Sequence, residues 1–225
     1  MKVLIPAKAS SSRCNHKNFR PFDGEDSLVD VLISKLVSAN IASSDIFVCT
    51  DDKKNAEAVK DKHKVNVVGR DKKSTRNTAD VPSYLEHMVE KIPDCEDIAI
   101  ALCTTPTFDS YKECLQKWNR RDKAKYTSLS VSQPAPHYLL MGSDERMFPV
   151  GWSFGNMHTA TQYLPHMHVA TFVFQILNRK AFNQYRYFLT PECLWHVENH
   201  PHIDINTELD FLDAQAVFGS RKLEK

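Results

Sequence analysis

"VLIPAKASSSRCNHKN" (residues 3–18) decides how the rest of the chain is read. A short apolar run stops at Pro6. Small and polar residues follow without a glycine, and basic residues recur at Lys8, Arg13 and Lys17. The run reads as a buried strand. The loop reads as an anion cradle, because backbone N–H groups of a small-residue turn such as Ala9–Ser12 can line phosphate oxygens.

Working outward, "SLVDVLISKLVSAN" (27–40) carries Leu28, Val31, Leu32, Leu36 and Val37 at helical spacing. Strands are expected at 45–51, 65–70, 97–106 and 126–132, and helices at 54–63, 80–92 and 110–121, with Pro82 in a first turn where proline is tolerated. Strands alternating with helices at this spacing predict an α/β domain, a three-layer, doubly wound, mostly parallel sheet. Ligands of such sheets sit beyond the carboxyl ends of the strands. The loops to watch are therefore 7–18, 50–53, 70–80 and 103–109. Residues 133–168 are rich in Pro, Gly and aromatics and lack periodicity, so they read as an inserted arm and a dimer contact. A strand is expected at 169–176 and a short strand entering a helix at 203–218, where Thr207 and Asp210 fit a capping box. Residues 1–225 read as one domain.

The totals exclude several classes. There are 29 basic and 28 acidic side chains, a net charge of +1. That balance gives no long-range steering toward nucleic acid or an anionic membrane. No apolar run is long enough to span a bilayer. The N-terminal residues read as a strand rather than a leader. Six cysteines without a CxxC pair suit a reduced, cytoplasmic protein. Six glycines and no GxGxxG after the first strand disfavour a dinucleotide-dependent oxidoreductase. His196, His200 and His202 cluster near Pro201, which breaks the helix that His-x-x-x-His zinc binding needs. Asp23, Asp51 and Asp52 read as turn residues.

Three stretches together resemble the sugar-activating cytidylyltransferases, the CMP-sialic acid and CMP-Kdo synthetases. They are "IPAKASSSRCNHKNFRPF", "VCTDD…VNVVGRDKKSTRNTADV" and "HIDINTELDFLDAQAVF". The resemblance implies a nucleotide-diphospho-sugar transferase-like fold and transfer of CMP from CTP to an acid sugar, with release of pyrophosphate. It implies Mg²⁺ (with Mn²⁺ able to replace it) and a homodimer built by the arm at 133–168. Lys8, Arg13 and Lys17 match the cations expected to neutralise the triphosphate. Ala7, Ser10, Ser11 and Asn18 match the phosphate and ribose loop. Arg70, Asn77, Thr78 and Ala79 match the nucleotide-holding arginine and turn. Gln162, Tyr187 and Phe188 match the acceptor side, where Cys103 and Thr104 stand in place of the sialic-type Q-P-T-S-P pattern, and Asp204 with Asn206 matches the metal-binding I-D-x-D.

Departures accompany the match. Lys8 replaces an arginine and so lacks its bidentate fork. Val81 replaces a serine, and Thr161 replaces an arginine before Gln162, Leu164 and Pro165. Asn206 replaces the second aspartate, which leaves an oxygen but no charge. A nucleotide-binding relative with weakened turnover, and a nucleotidyltransferase for another base or acceptor, therefore stand beside the first reading.

Overall fold

The computed structural model describes residues 1–70, 81–135, 139–141, 146–150, 153, 155, 163 and 166–223. The chain runs β1 (Lys2–Pro6), β2 (Pro21–Asp23), β3 (Asp26–Ser27), α1 (Leu28–Ser38), β4 (Ile46–Thr50), α2 (Lys53–His63), β5 (Asn66–Gly69), α3 (Val81–Glu90), β6 (Asp97–Ala101) and α4 (Tyr111–Asn119). It continues with β7 (Ser128–Pro134), β8 (Leu139–Met141), β9 (Met147–Pro149), β10 (His168–Ala170), β11 (Phe174–Asn178), α5 (Arg179–Tyr185), β12 (Cys193–Val197) and α6 (Glu208–Leu223).

The main sheet is ordered β5-β4-β1-β6-β11-β7, with β12 on the far side of β7. Strands β1, β4, β5 and β6 are mutually parallel, and β12 is parallel to β7. The antiparallel strand β11 slots between β6 and β7. Both faces of the sheet are covered, which is why its strands read as near-continuous apolar runs. Val3, Ile5, Ile46, Val48 and Ala99 point to a core shared with α1, α2, α4 and α6. Their neighbours Leu4, Phe47, Cys49, Ile98 and Ile100 point to a second core under α3 and α5. The period-2 alternation of a strand thus divides each run between two helix layers. The strand order reverses between β1 and β6, and that switch point opens the ligand crevice of such a sheet.

Besides the short β2–β3 hairpin and the end of β6 at Ala101 rather than 106, three features differ from the sequence reading. The strand expected over 169–176 is two strands, because the chain turns at Phe172, with φ of 55°, between pairing with β7 alone and entering between β6 and β7. Residues 203–206 form no strand. Their backbone is held by the loop after β6 instead: Ile203 N donates to Thr107 Oγ1 at 2.9 Å and Ile205 N to the Thr104 carbonyl at 2.8 Å. The third is the pair α5 and β12, which the sequence reading lacks. At seven and five residues they are too short for periodicity to declare them. Part of the expected arm lies outside the described residues. Within it, β8 and β9 form a separate two-stranded sheet.

One buried carboxylate joins α1 to α2. Asp30 accepts from Ser27 N (2.8 Å) and Ser27 Oγ (2.5 Å), and Ser27 Oγ accepts from Asp30 N (3.3 Å), forming a capping box. His63 Nε2 and Lys62 Nζ from the end of α2 lie 2.6 and 3.2 Å from Asp30 Oδ1. Burial alone raises the Asp30 pKa. The hydrogen bonds from His63, Ser27 and Lys62 outweigh it and hold the carboxyl well below the usual range. Its contribution to stability is therefore complete above the unfolded value of about 3.9 and is lost as pH falls through the depressed folded value. Asp30→Ala is expected to cost about 2–4 kcal/mol at neutral pH, and Asp30→Asn to flatten the acid limb of stability, both read by urea unfolding across pH.

Candidate active site

The loop after β1 is held from below and from both sides. Ala7 N completes the sheet by donating to the Cys49 carbonyl at 2.9 Å. Ala9 N donates to Asp51 Oδ1 at 2.8 Å, so the turn residue after β4 is a support for the loop. His16, with φ of 48°, brings its Nδ1 to 3.0 Å from the Ala9 carbonyl. Ser10 and Ser12 stand exposed at the tip.

Asn18 is 6% exposed and acts as a strut. Its Nδ2 donates to the Lys8 carbonyl at 3.0 Å, and its own carbonyl accepts from Val29 N at 3.3 Å. Cys103, at the end of β6, donates its thiol to Asn18 Oδ1 at 3.4 Å. Burial pushes the Cys103 pKa up to about 12, with Lys17 opposing, so the sulfur keeps its proton and remains a donor. Asn18 and Cys103 are thus spent on fixing the loop rather than on facing solvent.

The third stretch closes on this loop from 190 residues away in sequence. Lys17 Nζ donates to the Ile205 carbonyl. Arg13 donates to Asn206 Oδ1 at 3.2 Å. Arg20 pairs with Glu208 at 2.6 Å and lies 3.7 Å over the Phe211 ring. Glu208 also accepts from the Cys14 thiol at 3.5 Å. Asp204 is exposed: its Oδ1 accepts from Thr104 Oγ1 at 2.7 Å and its Oδ2 from Asn206 Nδ2 at 3.0 Å. The Thr207–Asp210 capping box starts α6 directly afterward, with Thr207 N to Asp210 Oδ2 at 2.7 Å and Asp210 N to Thr207 Oγ1 at 3.2 Å. Burial lowers the Lys17 pKa, while Asp204, Cys103 and Cys14 raise it. Lys17 is thus a half-buried cation within electrostatic reach of the Asp204 carboxylate, an environment in which a further negative charge would favour the protonated form.

The structure therefore brings Arg13, Lys17, Thr104, Asp204 and Asn206 together, and it places the Lys8 backbone beside them through Asn18. Arg70 lies at the neighbouring strand end. Its N donates to the Thr50 carbonyl at 2.9 Å, and its guanidinium lies 5.3 Å from the centre of the Tyr84 ring. Tyr187 is half-buried against the second core. Phe188 is 1% exposed and packs on Phe182 at 5.6 Å, so its ring fills core space. Asn77, Thr78, Ala79, Thr161 and Gln162 lie outside the described residues, as does the Val81 side chain. Asp51, Arg20 and Glu208 escaped the sequence reading. Their partners are remote in sequence, and no local spacing signals them. Among the described residues no group of three His, Cys, Asp or Glu side chains could hold a metal ion. Nor is any helix there long and apolar enough to cross a membrane.

Comparison with known proteins agrees with this fold. The cytidylyltransferase family profile matches residues 2–109. A CMP:2-keto-3-deoxy-manno-octonic acid synthetase solved with CTP superposes with a TM-score of 0.67 at 12% identity, covering 98% of both chains. The 4-diphosphocytidyl-2C-methyl-D-erythritol synthase of Anaerococcus prevotii gives 0.64 at 11% identity, over 100% of this chain and 99% of that one. A candidate glucose-1-phosphate thymidylyltransferase from Bacillus anthracis, solved with sucrose, gives 0.64 at 12% identity over 97% and 95%. No curated protein sequence matches. The chain thus resembles the CMP-sugar synthetases and shares the fold of nucleotidyltransferases. Replacing Asn18 by Ala leaves the Lys8 carbonyl and the Cys103 thiol without their partner. It is expected to cost about 1–3 kcal/mol and to speed amide exchange across residues 8–13. Cys103→Ser, which keeps a donor, should disturb exchange less than Cys103→Ala.

Proposed function

We propose that this chain is a cytidylyltransferase that joins CMP from CTP to the hydroxyl of an acid sugar and releases pyrophosphate. The observation that carries the reading is the closure of Arg13 and Lys17 on the Asp204–Asn206 segment. The acceptor oxygen attacks the α-phosphorus, the bond to the β-phosphate oxygen breaks, and the hydroxyl proton passes to water. That step needs little covalent help from a protein. It needs alignment and neutralisation of the charge that builds on the leaving pyrophosphate.

Lys8, Arg13 and Lys17 would supply that charge, and Ser10 and Ser11 would offer hydrogen bonds to phosphate oxygens. Asn18, Cys103, Asp51 and Glu208 keep the cations in register. Arg70 would hold the nucleotide, together with Asn77, Thr78 and Ala79. Thr104, Gln162 and Tyr187 would face the acceptor.

The hard oxygens of Asp204 fit Mg²⁺, which keeps most of its waters and is commonly held by one or two carboxylates plus substrate phosphates. When bound, the ion would neutralise triphosphate charge. Thr104 orients the Asp204 carboxylate for it. Asn206 fits less well, since its amide oxygen already accepts from Arg13. That engagement favours a second reading, a nucleotide-binding relative with weakened turnover.

Met141, Phe148, Trp195 and Val197 are exposed on β8, β9 and β12. A homodimer would cover them, and sedimentation showing only monomers would contradict it. All six cysteines are free, which fits a reducing, cytoplasmic setting.

Pyrophosphate release from CTP and Mg²⁺ with a panel of acid sugars tests the reading directly. Turnover is expected in wild type, with a loss of about 100-fold or more in Asp204→Ala. Silence across the panel together with no CTP binding by calorimetry would sink it. Asn206→Asp should lower the Mg²⁺ concentration needed for half-maximal rate, and on the weakened-turnover reading it should also raise the rate itself. Because the Lys17 pKa is lowered, its charge is lost as pH rises through that value. CTP affinity should therefore fall on the alkaline side, and Lys17→Met should remove that limb of the profile.

A further inference from the structure

Among the described residues, five other than glycine have positive φ: His16, Asn40, Lys64, Phe172 and Arg186. Lys64 and Arg186 cap α2 and α5, and Asn40 follows the α1 cap at Ala39. In those places the left-handed conformation closes a helix. His16 and Phe172 serve no helix end. His16 belongs to the loop after β1. Phe172 stands before the antiparallel strand β11, at the same end of the sheet as the carboxyl ends of β1 and β6.

The conformation costs most for a bulky side chain, and glycine would adopt it freely. It persists because the backbone is pinned on both sides. Thr171 N and Thr171 Oγ1 donate to the Val131 carbonyl at 3.0 and 3.3 Å, and Leu102 N donates to the Val173 carbonyl at 2.9 Å. Packing does not account for the ring, which is 37% exposed and joins neither core cluster. Two residues beyond Leu102, Thr104 holds Asp204. With Cα steps of about 3.8 Å and a strand spacing of about 4.8 Å, the Phe172 Cα lies within roughly 17 Å of the Thr104 Cα. Residues held in sparsely populated backbone regions cluster at ligand sites and switch regions.

We infer that Phe172 contacts the acceptor and sets its specificity, offering the apolar face of its ring to the C–H face of the acceptor's sugar ring. The inference rests on the cytidylyl-transfer reading above. Its test uses the full chain carrying fluorinated phenylalanine, with the Phe172 signal assigned among the 12 phenylalanines by its loss in Phe172→Leu. The probes are Kdo and N-acetylneuraminate, each added with CTP and Mg²⁺. One of them is expected to shift that signal. Phe172→Gly, which removes ring and strain together, should melt no lower than wild type and keep CTP affinity within about twofold, while that probe's half-saturation weakens about tenfold. Phe172→Tyr should restore it. A protein that binds CTP but whose Phe172 signal neither probe moves overturns the assignment. So does a Phe172→Gly variant that melts lower while CTP and probe affinities fall together, the pattern of a structural residue. A wild type that binds no CTP strikes the cytidylyl-transfer reading itself, and this inference falls with it.

Discussion

The Lys17 ammonium against the Ile205 carbonyl is the contact on which the crevice depends. It draws the segment entering α6 onto the loop leaving β1, and three other pairs close behind it: Arg13 with Asn206, Arg20 with Glu208, and Cys14 with Glu208. The one ion pair among them, Arg20 with Glu208, is exposed and contributes little by itself. Together they fix a loop that lacks glycine and therefore cannot rely on glycine's backbone freedom to find its shape. The loop's rigidity comes from side chains instead. Asn18, Asp51 and His16 each spend a polar group on its backbone.

That arrangement changes what several residues are for. Asn18 and Cys103 match positions where the resemblance implies ligand contact, yet both are buried and bonded to each other. Their chemistry reaches a ligand only through the Lys8 carbonyl and the path of the loop. Asn206 likewise divides its amide between Asp204 and Arg13, linking a carboxylate and a guanidinium that a triphosphate and its counterion would otherwise separate. The charges around the crevice are therefore held ready by one another, a preorganisation suited to charge that develops during a phosphoryl transfer.

Much of the fold was legible because both faces of the sheet are buried. The runs at 3–7, 45–51 and 97–106 read as strands of a covered parallel sheet, and α1 carried a clear apolar stripe. What escaped has physical causes. The antiparallel direction of β11 and the turn at Phe172 are set by pairing with β6 and β7, which a linear pattern does not display. Residues 203–206 look like a strand by composition, but they meet the Thr104 and Thr107 loop rather than a ladder. Of the candidate site residues, Lys8, Arg13, Lys17 and Asp204 stood out by charge and by their place after strands. Asp51, Arg20 and Glu208 did not, because their work is done across the chain.

The central claim is that a triphosphate lies between the β1 loop and the segment before α6. A crystal structure of the protein with CTP and Mn²⁺ measures this directly. The account predicts phosphate density bridging Arg13 and Lys17 toward Asp204, with an anomalous peak at the Asp204 carboxylate. CTP bound elsewhere on the sheet, or bound here with the manganese peak remote from Asp204, would contradict it.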